Sequence, residues 1–170
     1  EMDMWKRLNV DKIAWVFMGY KTAEGECAGS QVGAKASGRR TMWGVPLKTV
    51  EAGKAHYEEF GTPPMQGYET PADAEAYPFW PDPDRFDYDA AVELARKYSG
   101  DYAVIGPWVS FYEIYCQLRS IEQALMDLIL YPDLVEAVLD RLEAIQTAMM
   151  KRFLDRAAGH VDLVFVSDDI

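Results

Sequence analysis

Two adjacent carboxylates, Asp168 and Asp169, follow Ser167 and the apolar run Leu163-Val-Phe-Val166. Four apolar residues of β-branched and aromatic type are too few for a helix. They predict a strand buried on both faces, as in parallel sheets covered by helices. In such sheets ligands bind beyond the carboxyl ends of the strands. A carboxylate there can bind substrate, orient a metal-bound group, or exchange a proton where burial raises its pKa. Capping a helix or holding a loop is the competing role for either one. A second set of polar and aromatic residues, Trp108, Tyr112, Glu113 and Tyr115, follows the apolar run Tyr102-Ala-Val-Ile105. Trp108 can wall a flat substrate, and Glu113 adds an acid. A core indole, packed tyrosines and a solvated helix face are their structural alternatives. Adjacent parallel strands lie about 4.8 Å apart, so side chains leaving the ends of the two runs are expected to converge on one cleft.

Other chemistries find less support. Cys27, Cys116, His56 and His160 are scattered without ligand spacing, so neither a zinc motif nor a disulfide framework is implied. The glycine-rich stretch 21–40 lacks both a Gly-Lys-Ser/Thr ending and a G-x-G-x-x-G pattern, and reads as an irregular excursion or a hairpin. A net charge of -11 argues against tracking nucleic-acid phosphates. No apolar run approaches a membrane span, and no signal peptide opens the chain, so a reduced, cytoplasmic setting is expected. With 170 residues, 49% of them hydrophobic, the chain can bury a core as one domain.

The elements that must position these residues are legible in periodicity. Ile13-Ala-Trp-Val-Phe-Met18 predicts a first buried strand, and Thr41 to Leu47 a short extended piece kept at an edge by Pro46. Residues 61–83 carry six prolines and predict a covering loop, with one short helix capped at Thr70. From 87 to 170 the pattern is regular: a helix from Tyr88 to Tyr98, then the strand Tyr102–Ile105, broken at Gly106-Pro107-Trp108. Helices follow from Ser110 to Leu118 and Ile121 to Leu130. A long one opens at Pro132, with an apolar stripe from Leu134 to Phe153. Helix, strand, helices and strand make a parallel βαβ unit with an enlarged crossover.

Three stretches resemble the uroporphyrinogen decarboxylase superfamily. They are Asp101-Tyr-Ala-Val-Ile-Gly-Pro-Trp108; Leu118-Arg-Ser120 with Tyr131-Pro-Asp-Leu-Val-Glu136; and Val161-Asp-Leu-Val-Phe-Val-Ser-Asp-Asp169. Trp43-Gly44 and Trp80-Pro-Asp-Pro83 resemble its methyltransferase-like branch. The resemblance implies a partial (β/α)8 barrel of parallel strands, with residues 1–170 as its N-terminal or middle portion. A complete barrel needs about 250 residues, so an apolar face is expected to be left uncovered. It implies Asp168, Asp169 and Tyr115 as catalytic residues, and Trp108, Tyr112 and Glu113 as substrate contacts. Tyr112 and Tyr115 compete for the place where the decarboxylase branch carries a site tyrosine. The Arg-Gln-Ala-Gly-Arg motif of that branch is absent, which favours methyl transfer between a corrinoid protein or methylated donor and a thiol. Decarboxylation of a tetrapyrrole and a non-catalytic docking module are the alternatives. The methyltransferase branch further implies a zinc ion held by ligands beyond residue 170, and a corrinoid protein or small molecule as partner.

Overall fold

The computed structural model describes residues 4, 7–21, 27–28, 40–53 and 55–168. In chain order these form β1 (Ala14–Trp15), β2 (Tyr20–Lys21), β3 (Cys27–Ala28), β4 (Leu47–Ala52), β5 (Ala55–Phe60) and α1 (Pro71–Glu75). A 3-10 turn (Pro83–Arg85) leads to α2 (Tyr88–Tyr98), β6 (Val104–Val109), α3 (Tyr112–Arg119), α4 (Ile121–Leu130), α5 (Pro132–Arg156) and β7 (Leu163–Val166). The chain is a mixed α/β structure whose central sheet has three parallel strands in the order β1-β6-β7. Two antiparallel pairs, β2–β3 and β4–β5, stand apart from it.

One face of the sheet is packed. Ala91, Val92 and Ala95 of α2 and Met149 and Phe153 of α5 close over Ala14, Val16, Val104 and Val109 in a single core. A second core gathers Ile114, Tyr115 and Leu118 of α3, Ala124 of α4 and Leu134, Val138 and Leu142 of α5 around Trp43, Val45 and Met65. Helix α5 therefore serves both cores, which explains its long apolar stripe.

The other face is open, and this corrects two expectations. The stretch Ile13–Met18 is not buried on both sides. Ala14, Val16 and Met18 are 4%, 0% and 2% exposed, whereas Ile13, Trp15 and Phe17 remain 43%, 40% and 41% exposed. Strand β7 pairs in parallel with β6 as its sequence predicts. Yet Leu163, Val164, Phe165 and Val166 are all exposed, because β7 lies at a sheet edge where no described strand pairs with its far side. Trp15 stacks on Phe17 and meets the edge of Phe165 at 5.1 Å, so the open face carries an aromatic cluster.

Strand β6 does not break at Gly106-Pro107. It runs on to Val109, and the register with β7 slips by one residue between Ile105 and Trp108. The bulge accounts for this, since proline lacks a donor and is tolerated where a ladder bond is already lost. Thr41 to Leu47 is a turn before it is a strand: Gly44 donates to the Thr41 carbonyl and Thr41 to that of Val45. Gly44 has φ +79°, and a Cβ there would lie 2.5 Å from Phe79 Cβ and Tyr77 Oη. Both facts require glycine. The β4–β5 hairpin was unanticipated. Its signal was Gly53, which opens a two-residue connection at φ 63°. The short helix in the proline-rich loop forms as expected, with Thr70 and Asp73 in a reciprocal capping box and Pro71 at its first position.

Candidate functional site

The carboxyl ends of β6 and β7 meet the amino end of α3. Ser167, just past β7, accepts a hydrogen bond from Trp108 Nε1 at 2.8 Å. The Asp168 carboxylate accepts from the Ser110 hydroxyl at 2.6 Å and from the backbone N–H groups of Phe111 and Glu113, each at 2.9 Å at closest. Asp168 thus caps α3 from a distant part of the chain, doing what no local side chain does for that helix. Burial works against its charge, but the Ser110 hydroxyl and the N–H groups of Glu113, Phe111 and Tyr112 outweigh it and hold the carboxyl below the ordinary range. An ionised acceptor at the positive end of a helix is electrostatically favoured.

Behind this junction Gln146 of α5 reads the Ser110 peptide from both sides. Ser110 N–H donates to Oε1 at 3.2 Å, and Nε2 donates to the Ser110 carbonyl at 2.7 Å. Both groups are buried, so the pair fixes where β6 ends and α3 begins. Gln146 was missed in the sequence, although a polar side chain among Leu142, Ile145 and Met149 on an apolar stripe was the available signal.

Beside the junction lies a small recess at the carboxyl ends of β1 and β6, with a cavity volume of about 20 Å³. Phe17, Trp43, Phe86, Trp108, Met18 and Met149 are among its walls. Among the described residues the walls contain no ionisable side chain. The amide of Gln146, a polar wall group, is already bonded to Ser110.

The six candidates fall in different places. Trp108 lines the recess, Asp168 caps α3 beside it, and Glu113 contributes its backbone N–H to that cap. The Glu113 carboxylate accepts from Gln117 Nε2 at 3.4 Å. Tyr112 is held with its phenol oxygen shut from solvent and without a hydrogen-bond partner among the described residues. Burial, ahead of neighbouring Cys116, raises its pKa. Asp169 lies outside the described residues.

Tyr115 points elsewhere, into the second core. Its hydroxyl donates to Asp127 Oδ2 at 2.6 Å, and burial followed by that carboxylate raises its pKa. Asp127 also takes a two-pronged contact from Arg119, Nε at 2.6 Å and a terminal nitrogen at 2.8 Å, plus one from Gln123 at 2.8 Å. Arg119 donates further to the Met65 carbonyl. Burial opposes the Asp127 charge, but Arg119, Gln123 and Tyr115 together keep the carboxyl below its usual value. The network ties α3 and α4 to the proline-rich loop and does not reach the recess.

Comparison with known proteins adds nothing to this geometry: no family model, no curated protein and no solved structure matches the chain. Among the described residues no three His, Cys, Asp or Glu side chains converge to hold a metal. The zinc implied by the resemblance therefore has no holder among them. Nor is any described helix long and apolar enough to cross a membrane.

Proposed function

We propose that the three-stranded sheet is an arc of a (β/α)8 barrel of the uroporphyrinogen decarboxylase superfamily, and that the strand-end recess serves methyl transfer. The open aromatic face of β1 and β7 supports the barrel, since further parallel strands would bury it. The recess carries the choice of chemistry. A tetrapyrrole with several carboxylates calls for cations, and the described residues of the recess wall include none. A methyl group passing from a corrinoid-type donor to a thiolate calls for the opposite. It needs apolar walls that exclude water while the sulfur–carbon bond forms and the broken bond's electron pair stays with the donor.

In this reading Trp108 is a wall of the substrate site, oriented by Ser167, and Asp168 is a positioning residue that fixes the turn from β6 into α3. Glu113 contributes its N–H to the Asp168 cap, and Tyr112 and Asp169 remain candidate groups of the proposed site. Tyr115 is a structural residue of the second core, bound to Asp127.

Incubating the protein, in a form that carries all eight strands of the proposed barrel, with methylcobalamin and 2-mercaptoethanesulfonate, and following loss of the methylated corrinoid by absorbance, tests the proposal. Thiol-dependent demethylation that falls at least tenfold in Trp108→Ala is the expected result. Carbon dioxide release from uroporphyrinogen without demethylation would move the chain to the decarboxylase branch.

A further inference from the structure

The recess at the carboxyl ends of β1 and β6 is walled mainly by soft, electron-rich groups. Four aromatic residues, Phe17, Trp43, Phe86 and Trp108, and three thioethers, Met18, Met42 and Met149, line it. Its cavity volume of about 20 Å³ accepts a single small group. Water is a poor occupant, because a buried water needs about two to four polar partners. The Gln146 amide oxygen already takes the Ser110 N–H, and its nitrogen donates to the Ser110 carbonyl. A methyl group needs no such partner. Phe17, 41% exposed, and half-buried Trp108 carry the walls to the surface, so a methyl can enter with the rest of its molecule outside.

We infer that the recess seats a methyl group of a small onium cation, a quaternary ammonium or a sulfonium. Aromatic faces attract a cation within about 6 Å of the ring centre, and thioethers are soft and polarisable. An onium spreads its charge over methyl groups that offer no strong donor, so apolar walls leave nothing of it unpaired. A metal ion such as magnesium would have to exchange water for oxygen ligands, and a primary ammonium would lose its hydrogen bonds. The wall's Gln146 oxygen is already engaged and meets neither need. Charge favours the same occupant. The whole chain carries -11, which draws cations to its surface. Closer at hand, Asp168 stands behind the wall: Gln146 holds Ser110, and the Ser110 hydroxyl donates to the Asp168 carboxylate at 2.6 Å. The bonds that Asp168 accepts keep it ionised near neutrality. A carboxylate behind an apolar wall attracts a cation in front of it without touching it.

The inference concerns binding alone and goes beyond the methyl-transfer reading, so its test contains neither corrinoid nor thiol. Choline and 3,3-dimethylbutan-1-ol share one shape, the second with carbon in place of the charged nitrogen. Each is titrated into the 170-residue chain at constant ionic strength, and saturation transfer to the ligand methyl groups is followed by nuclear magnetic resonance. Choline is expected to bind saturably and about tenfold more tightly than the alcohol. Phe17→Leu and Trp108→Leu keep an apolar wall but remove a ring face. Each is expected to weaken choline severalfold and to leave the alcohol unchanged. Because Phe17 is 41% exposed, its variant is expected to keep a cooperative melt even if loss of the Trp108–Ser167 bond unsettles the other. Equal affinity for the two ligands would overturn the inference, as would choline binding that neither variant weakens, or no saturable choline binding at all. Thiol-dependent demethylation without choline binding would remove this inference alone, and choline binding without demethylation would remove the methyl-transfer reading alone.

Discussion

A single carboxylate illustrates how position and role separate. Asp168 stands where the end of a parallel strand invites a catalytic acid, yet its oxygens are spent on the amino end of α3. An acid held below its ordinary pKa is a poor proton donor near neutrality, which suits it to fixing geometry. Replacing it with Ala is expected to cost about 1–2 kcal/mol of stability, the usual worth of a helix cap. The pH dependence follows from the direction of the shift. Because the folded carboxyl binds its proton more weakly than the unfolded one, its stabilisation is fully present above the ordinary aspartate value of about 3.9. It fades as pH falls through the lower folded value. Chemical denaturation of the wild type and Asp168→Ala between pH 7 and pH 3 should therefore show two midpoints that draw together only at the acid end. A constant gap across that range would mean that the cap acts without its charge.

Elements are held by a different kind of contact. The Arg119–Asp127 pair, 3% and 0% exposed, joins α3 to α4, and Arg119 reaches on to the Met65 carbonyl. Such a pair is worth little over an apolar replacement of both partners, but half of one is costly. Arg119→Met alone is expected to lose about 3–5 kcal/mol, and Arg119→Met/Asp127→Leu to recover most of it. Denaturant midpoints of the two variants decide this, and a double variant no better than the single would show the charges themselves to be favourable. The sequence revealed α1, α2, α4, α5 and β7 nearly to the residue, because caps, prolines and 3.6-residue periodicity are local signals. Arg119 and Asp127 gave no such sign. They lie eight residues apart on two different helices, and their meeting depends on the turn at Ser120, which has φ 78°. Strand β6 was cut short because Pro107 reads locally as a terminator, whereas a bulge opposite β7 absorbs it. The site was partly legible for the same reason. Strand ends announced Trp108 and Asp168, while Gln146 and Ser110 are partners only through tertiary packing.

For the whole molecule, the decisive fact is that one face of the central sheet is packed and the other is not. A run such as Leu163–Val166 specifies a strand that wants two covered faces, but it cannot say how many neighbours the sheet supplies. The open face sets Trp15, Phe17, Leu163 and Phe165 in water at 40%, 41%, 45% and 37% exposure. Leaving about two fifths of each such side chain in water forgoes about 1 kcal/mol each in transfer free energy. The packed face, with Val16, Val104 and Phe153 wholly buried, is what holds the chain together. A native protein of this kind should bind an apolar dye without being a molten globule. The chain is expected to enhance the fluorescence of 8-anilinonaphthalene-1-sulfonate at pH 7 while keeping a structured near-ultraviolet circular dichroism spectrum and a cooperative melt. A molten globule would lose both of the latter. Trp15→Ser with Phe165→Ser removes the ring pair that organises the open face, and should abolish most of the enhancement while changing the melting temperature little. Leu125→Glu with Ile129→Glu on the exposed side of α4 serves as the counterpart, since that patch is separate and aliphatic. If those glutamates quench the dye signal and the serines do not, the dye reports α4, and the sheet face is better covered than its side chains indicate.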